Sequence, residues 1–340
     1  MAPALSVGSV RQGPKMQREK PTLVVSHPDC LKHDTGVGHP ESAARVSAIL
    51  DALEQVGRTD AVERTLGRPA TAGELSSCHP EEYTKLVQRE IEGGAPVLST
   101  GDTVVCSKSM SAALIAAGSA VLAVERIMAG SAKNAFCAVR PPGHHARPEQ
   151  GMGFCVFNNI AVAARVAQRQ HGIGKVLIVD WDVHHGNGTQ DLFYRDPTVF
   201  YFSTHQHPWY PGTGRADECG AGKGRGTTLN CPFAAGAGSR EIIGAFTDRL
   251  LPAADRFRPE FVMISAGFDS RAGDPLGHFL LSDDDFAQLT RMLMEIADEH
   301  AGGRVVSALE GGYSLTGLAS STAAHVRALA RQDGTRSTPV

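Results

Sequence analysis

KVLIVDWDVHHGNGTQ, residues 175–190, decides the fold class. Its first half, Val176–Val179, is apolar without alternation. That is how a strand reads when both of its faces are covered, as in a parallel sheet. The second half turns polar at once, with Asp180, Asp182, His184, His185 and Asn187. Three other segments repeat the change. NAFCAV (Asn134–Val139) runs into Arg140-Pro-Pro-Gly-His144-His145, FVMISAG (Phe261–Gly267) into Phe268-Asp269, and RVVSALE (Arg304–Glu310) into Gly311-Gly312-Tyr313. Further β-rich runs lie at Thr22–His27, Val199–Thr204 and Thr227–Phe233. Between the runs, helical periodicity covers Pro40–Val56, Ser111–Ala129, Asn158–Gln170, Ser239–Phe257 and Asp283–His300. Strands alternating with helices predict an α/β fold, a doubly wound and mostly parallel sheet with helices on both faces. Ligands of such sheets bind beyond the carboxyl ends of the strands. There the chain concentrates its His, Asp and Tyr.

Length and composition fit one domain. A chain of 340 residues with 42% hydrophobic residues can bury a single large α/β core. The expected division is a disordered tail over residues 1–20 and a catalytic domain over 21–335. The tail holds Arg11, Lys15, Arg18 and Lys20 but lacks the apolar core of a signal peptide. A formal charge of −3 gives no overall pull toward nucleic acid, so no direct nucleic-acid partner is expected. The most apolar helical stretch, Ala112–Val124, looks too short to span a bilayer, which predicts no membrane partner. The seven cysteines form no CxxC pair and read as reduced thiols of a cytoplasmic protein. Homo-oligomerisation is compatible with this composition.

Asp180, Asp182 and His184 are spaced by two, so on extended backbone they project to one face. Asp182 and His184 then approach one metal ion together, with Asp180 just below them. Asp269 arrives from another strand end as the third ligand. Two carboxylates and an imidazole with an open position make the ligand set of a catalytic metal. Water in such a position has its pKa brought to about 7 in the best cases. Taken singly, each piece has an ordinary reading. An Asp past a strand is usually a turn or cap residue, paired histidines are usually loop residues, and Gly-Gly-Tyr is usually a turn before a half-buried aromatic. Four such pieces at four strand ends outweigh those readings.

The motifs GHPESAAR (Gly38–Arg45), RPPGHHA (Arg140–Ala146), GFCVFNN (Gly153–Asn159), DWDVHHGNGTQ (Asp180–Gln190), YPGTG (Tyr210–Gly214), AGFDSRAGDPLG (Ala266–Gly277) and LEGGY (Leu309–Tyr313) carry a resemblance. Over roughly Pro21 to Arg331 the chain resembles the histone deacetylase and acetylpolyamine amidohydrolase superfamily, whose fold is the arginase-like α/β domain. Asn187 and Glu310 are closer to class II deacetylases and bacterial relatives than to class I. The resemblance implies that Asp182, His184 and Asp269 hold a zinc ion, although such a site also accepts Fe(II) or Co(II). It implies His145 as the general base, His144 as its electrostatic partner held by Asp180, and Tyr313 as the hydroxyl donor to the scissile carbonyl. Asn187, where class I members carry Asp, should leave His145 easier to keep neutral. Backbone carbonyls of Asp180, Asp182, His184, Ser203 and Thr204 match positions that cradle a potassium ion.

For the substrate, Gly153 and Phe154 match one wall of a narrow apolar tube, and Tyr210 matches the other wall, where Phe is frequent. Leu276 occupies the position where a Glu goes with cationic polyamines, and it offers an ammonium nothing. The expected activity is therefore removal of acetyl or a related acyl group from lysine in a protein or peptide. The nearest alternative is the same chemistry on acetylpolyamines or other small acylated amines. Arginase-type guanidine hydrolysis would want a two-metal cluster richer in aspartates, and the Tyr313 and His144-His145 set argues against it. A catalytically dead acyl-lysine reader would be expected to lack a ligand, the base or the tyrosine, and all are present.

Overall fold

The computed structural model describes residues 20–56 and 61–332. Most of the expected tail, residues 1–19, and the last positions of the expected domain, 333–335, lie outside them. Eight strands form one sheet: β1 (Thr22–Ser26), β2 (Val62–Leu66), β3 (Asn134–Cys137), β4 (Val176–Asp180), β5 (Val199–Gln206), β6 (Thr228–Phe233), β7 (Phe261–Ala266) and β8 (Val305–Leu309). Their order is β2-β1-β3-β8-β7-β4-β5-β6 and every pairing is parallel. The helices are α1 (Ala43–Val56), α2 (Ala72–Leu75), α3 (Glu81–Glu92), α4 (Ser109–Met128), α5 (Asn159–His171), α6 (Asn187–Phe193), α7 (Ser239–Ala245), α8 (Leu251–Phe257), α9 (Asp283–His300) and α10 (Leu315–Leu329).

Both faces of the sheet are covered, as the unalternating strands require. Along β4, Val176 and Ile178 join the core on the α4 and α5 side, while Leu177 and Val179 join the core beneath α1, α9 and α10. Each such buried aliphatic side chain contributes about 1.5–3 kcal/mol relative to exposure. The strands that release polar residues, β3, β8, β7 and β4, stand side by side in the middle of the sheet. Their carboxyl ends therefore open onto one place.

Three expectations need correction. The helix predicted over Ser239–Phe257 is broken by a π-helical turn at Phe246–Leu250, between α7 and α8. Pro252, in the first turn of α8, cannot donate to the preceding turn, and the register shifts just before it. The helix expected over Ser111–Ala129 is present, but its apolar span is longer than Ala112–Val124. At 20 residues with a mean hydropathy of 1.5, α4 is long and apolar enough to cross a membrane, yet 67% of that span is buried inside the fold. Its Ala-rich surface packs on β1, β3 and α5, the placement of a core helix. Finally, β4 stops at Asp180, so Asp182 and His184 do not lie on extended strand. A different device brings them together, described next.

Candidate active site

Past the end of β4 the chain curls on its own side chains. Asp180 Oδ1 accepts the amide N–H of Asp182 (3.2 Å), and Asp182 Oδ1 accepts that of His184 (2.9 Å). These are the local bonds by which Asp side chains stabilise turns two residues on. The curl sets His184 Nδ1 2.9 Å from Asp182 Oδ1 and 3.1 Å from Asp269 Oδ2. Asp269 is fixed from its other oxygen, which accepts the Val183 amide N–H at 2.9 Å. The ligand atoms of Asp182, His184 and Asp269 all lie within 4.8 Å of one another, and all three residues are buried.

The donor set fits a divalent metal ion. Burial and the charge of Asp182 push the Asp269 carboxyl up to about 7. Burial would raise Asp182 too, but His144 and His184 hold it low. Two buried carboxylates this close call for a cation between them. The backbone is also cut to their shape. A Cβ on Gly311 would stand 1.9 Å from Asp269 Oδ2 and 2.6 Å from Asp182 Oδ2, so only glycine passes there. The same residue donates its amide N–H to Asp182 Oδ2 at 2.7 Å.

Beside this cluster the two histidines of the Arg140–His145 loop are driven apart in basicity. Their rings lie 4.0 Å apart. His144 Nδ1 is 3.0 Å from Asp180 Oδ2, which also accepts the Tyr201 hydroxyl at 3.2 Å. Burial would lower His144, but the charges of Asp180 and Asp182 override it and raise it to about 10. His145 goes the other way, held well below its ordinary value by burial and by His144 and His184. Its Nδ1 is 2.8 Å from Asn187 Oδ1, whose own amide nitrogen donates to Met152 Sδ at 3.4 Å. An amide oxygen only accepts, so Nδ1 carries the hydrogen and Nε2 keeps a free lone pair. Split titration of neighbouring groups is the mark of an acid–base site. The bond to Asn187 works the other way on His145, toward a higher value, but burial and His144 outweigh it.

A cleft of about 240 Å³ leads to these groups, with His145, His184 and Tyr313 at its inner end. Phe154 and Tyr210 flank it as expected, and Leu276 lies on its wall. Phe154 has φ 67°, a left-handed conformation that a bulky residue rarely adopts and that is typical of strained functional positions. Gly153 precedes it, and a Cβ there would stand 2.3 Å from the His145 ring. The structure adds two cleft residues. Asp102 accepts the Gly153 amide N–H at 2.7 Å and the Tyr210 hydroxyl at 3.1 Å. Trp209 donates its indole N–H to the Leu276 carbonyl at 2.9 Å. A larger cavity of about 790 Å³ opens near Thr22, Lys133 and Arg331, but among the described residues no histidine lines it.

The GHPESAAR motif works from behind. Buried Glu41 takes two bonds from Arg140 (2.8 and 2.7 Å) and one from Arg45 (3.2 Å). Arg45 then donates to the carbonyls of Glu310 and Gly312 and lies 4.9 Å over the Tyr313 ring. Ser203 and Thr204 are buried on β5, with Ser203 the register partner of Asp180. All seven cysteines are free thiols.

Comparison with known proteins bears on this geometry. A family model described as "Histone deacetylase domain" matches residues 39–329. The chain is 43% identical over 306 residues to "Histone deacetylase 10, chloroplastic" of Oryza sativa subsp. japonica, covering 85% of this chain and 69% of that protein. It is 40% identical over 278 residues to "Histone deacetylase-like amidohydrolase" of Pseudomonas aeruginosa, covering 82% and 73%. Among solved structures it is similar to the HDA15 HD domain, with a TM-score of 0.87 and 39% identity over 93% of this chain and 91% of that one.

Proposed function

The chain belongs to the histone deacetylase family, a family of deacetylases and amidohydrolases, and on that premise we propose that it is a zinc-dependent deacylase of acyl-lysine in proteins or peptides. The observation that carries the reading is the convergence of Asp182, His184 and Asp269 beside a histidine kept neutral. A zinc ion held by those three residues supplies Lewis acidity toward a carbonyl oxygen and makes water a better nucleophile at neutral pH.

The residues of the chain do the remainder. His145, neutral with Nε2 free, takes a proton from the attacking water and later returns one to the leaving amine. His144, charged and paired with Asp180, lies 4.0 Å from that ring, so it opposes early protonation of His145 and adds positive potential where an oxyanion develops. The Tyr313 hydroxyl donates to the carbonyl oxygen as the carbon becomes tetrahedral. A preorganised donor of this kind is worth about 3–4 kcal/mol of barrier. Phe154 and Tyr210 enclose the alkyl chain and keep water from it. A potassium ion on the carbonyls of Asp180, Asp182, His184, Ser203 and Thr204 belongs to the same reading, supported by the pairing of Asp180 with Ser203.

Leu276 favours acyl-lysine over an acylated polyamine, since it offers no anion to a second ammonium. Asp102 supports the second reading, an acetylpolyamine or another small acylated amine, because among the described residues its carboxylate is the one anionic side chain lining the cleft. A panel of acyl-lysine peptides and acetylpolyamines, run with and without a hydroxamate chelator, tests both. Chelator-sensitive turnover with the higher kcat/KM on acyl-lysine is expected. Preference for acetylpolyamines would replace the substrate, and turnover indifferent to the chelator would reject the zinc.

A further inference from the structure

The motif Ala266–Gly277 carries two buried aspartates, and only Asp269 belongs to the metal cluster. The other, Asp274, is 7% exposed and spends both oxygens on backbone N–H groups. Its Oδ2 accepts from Tyr313 at 2.7 Å and Ser314 at 3.0 Å, and its Oδ1 accepts from Leu276 at 3.0 Å. Bonds to an ionised acceptor are about twice as strong as neutral ones. The loop from Glu310 to Ser314 has other anchors, but they grip elsewhere. Arg45 holds the carbonyls of Glu310 and Gly312, and Asp182 holds the amide of Gly311. Among the described residues, Asp274 alone bonds the amide of Tyr313 itself.

Among the described residues the Tyr313 ring makes two ring contacts. It meets Phe154 edge-on at 6.0 Å and lies beneath Arg45. Its hydroxyl makes no hydrogen bond to the described residues. Where that hydroxyl points is therefore set by its backbone. We propose that Asp274 is a positioning residue: one carboxylate fixes the Tyr313 hydroxyl over the inner cleft and, through its second oxygen, fixes Leu276 on the cleft wall. The carbonyl-polarising donor and the surface that meets the substrate chain are thereby held in one register. This rests on the deacylase reading.

The test is a double-mutant cycle on metal-loaded full-length protein, with kcat and KM for an acetyl-lysine peptide and bound metal measured throughout. Asp274→Ala should lower kcat on the order of 10- to 100-fold with metal content unchanged, the scale of a donor displaced by about 1 Å. In a Tyr313→Phe background the same substitution should cost kcat little more, because the hydroxyl it aims is already gone. KM should rise in both backgrounds, since Leu276 is released whether or not the hydroxyl is present. Asp274→Asn keeps a carbonyl oxygen for the Tyr313 and Ser314 amides and should recover most of kcat. An equal kcat loss in both backgrounds, loss of metal in Asp274→Ala, or no recovery in Asp274→Asn would overturn the proposal. Full activity of Tyr313→Phe alone would instead sink the role given to Tyr313, and this inference with it.

Discussion

Asn187→Asp tests the acid–base assignment through one bond. Asn187 Oδ1 lies 2.8 Å from His145 Nδ1, at a buried position where burial and the charge of His144 hold His145 well below its ordinary pKa. A carboxylate there would favour the imidazolium. An opposite charge at about 4 Å in a medium of effective dielectric 20 is worth about 4 kcal/mol, or about 3 pKa units at 1.36 kcal/mol per unit. Burying the new carboxylate takes part of that back, leaving a rise of about 1–2 units. The sign follows from the role. A base works only when neutral, so activity falls as pH drops through the pKa of His145. That fall lies below pH 6.5 for the native protein and should move upward by about 1–2 units in the variant. The assay is kcat/KM against pH on metal-loaded protein. An acidic limb that stays in place, or moves to lower pH, would refute His145 as the base.

Three other outcomes follow from the same geometry. His145→Ala and Tyr313→Phe should each reduce turnover by about 10²-fold or more while metal content, measured by elemental analysis, stays near native. Gly311→Ala drives a methyl group onto Asp269 Oδ2 and Asp182 Oδ2, so metal affinity in a competition titration should fall about 10- to 100-fold. Leu276→Glu puts a carboxylate on the cleft wall and should shift the kcat/KM ratio toward acetylpolyamines by about tenfold.

The four strand ends were legible because burial on both faces leaves an unmistakable apolar run, and because chemistry follows it abruptly. Neighbourhood in the sheet was not legible. That β3, β8, β7 and β4 stand side by side depends on crossover paths that no local pattern encodes. Asp182 and His184 do fall in one cluster, but for another reason than the spacing suggested: the even spacing matters because Asp side chains cap their own backbone, not because the strand continues. Some misses had a signal. Tyr83, Val87 and Ile91 recur every four residues along α3 and form its buried face. Others had almost none. VERTL, which forms β2, is an edge strand with exposed Glu63 and Arg64 and reads as polar loop. Asp102, Trp209, Arg45 and Asp274 act through contacts with residues distant in the chain, so their part appears only once the loops are folded together.

The central claim is that Asp182, His184 and Asp269 grip one divalent ion. Elemental analysis of metal-replete native protein beside Asp269→Ala tests it most directly. A single bound ion per chain in the native protein, lost in the variant, is the predicted result. A native protein without the ion, or a variant that keeps it at full stoichiometry, would contradict the account.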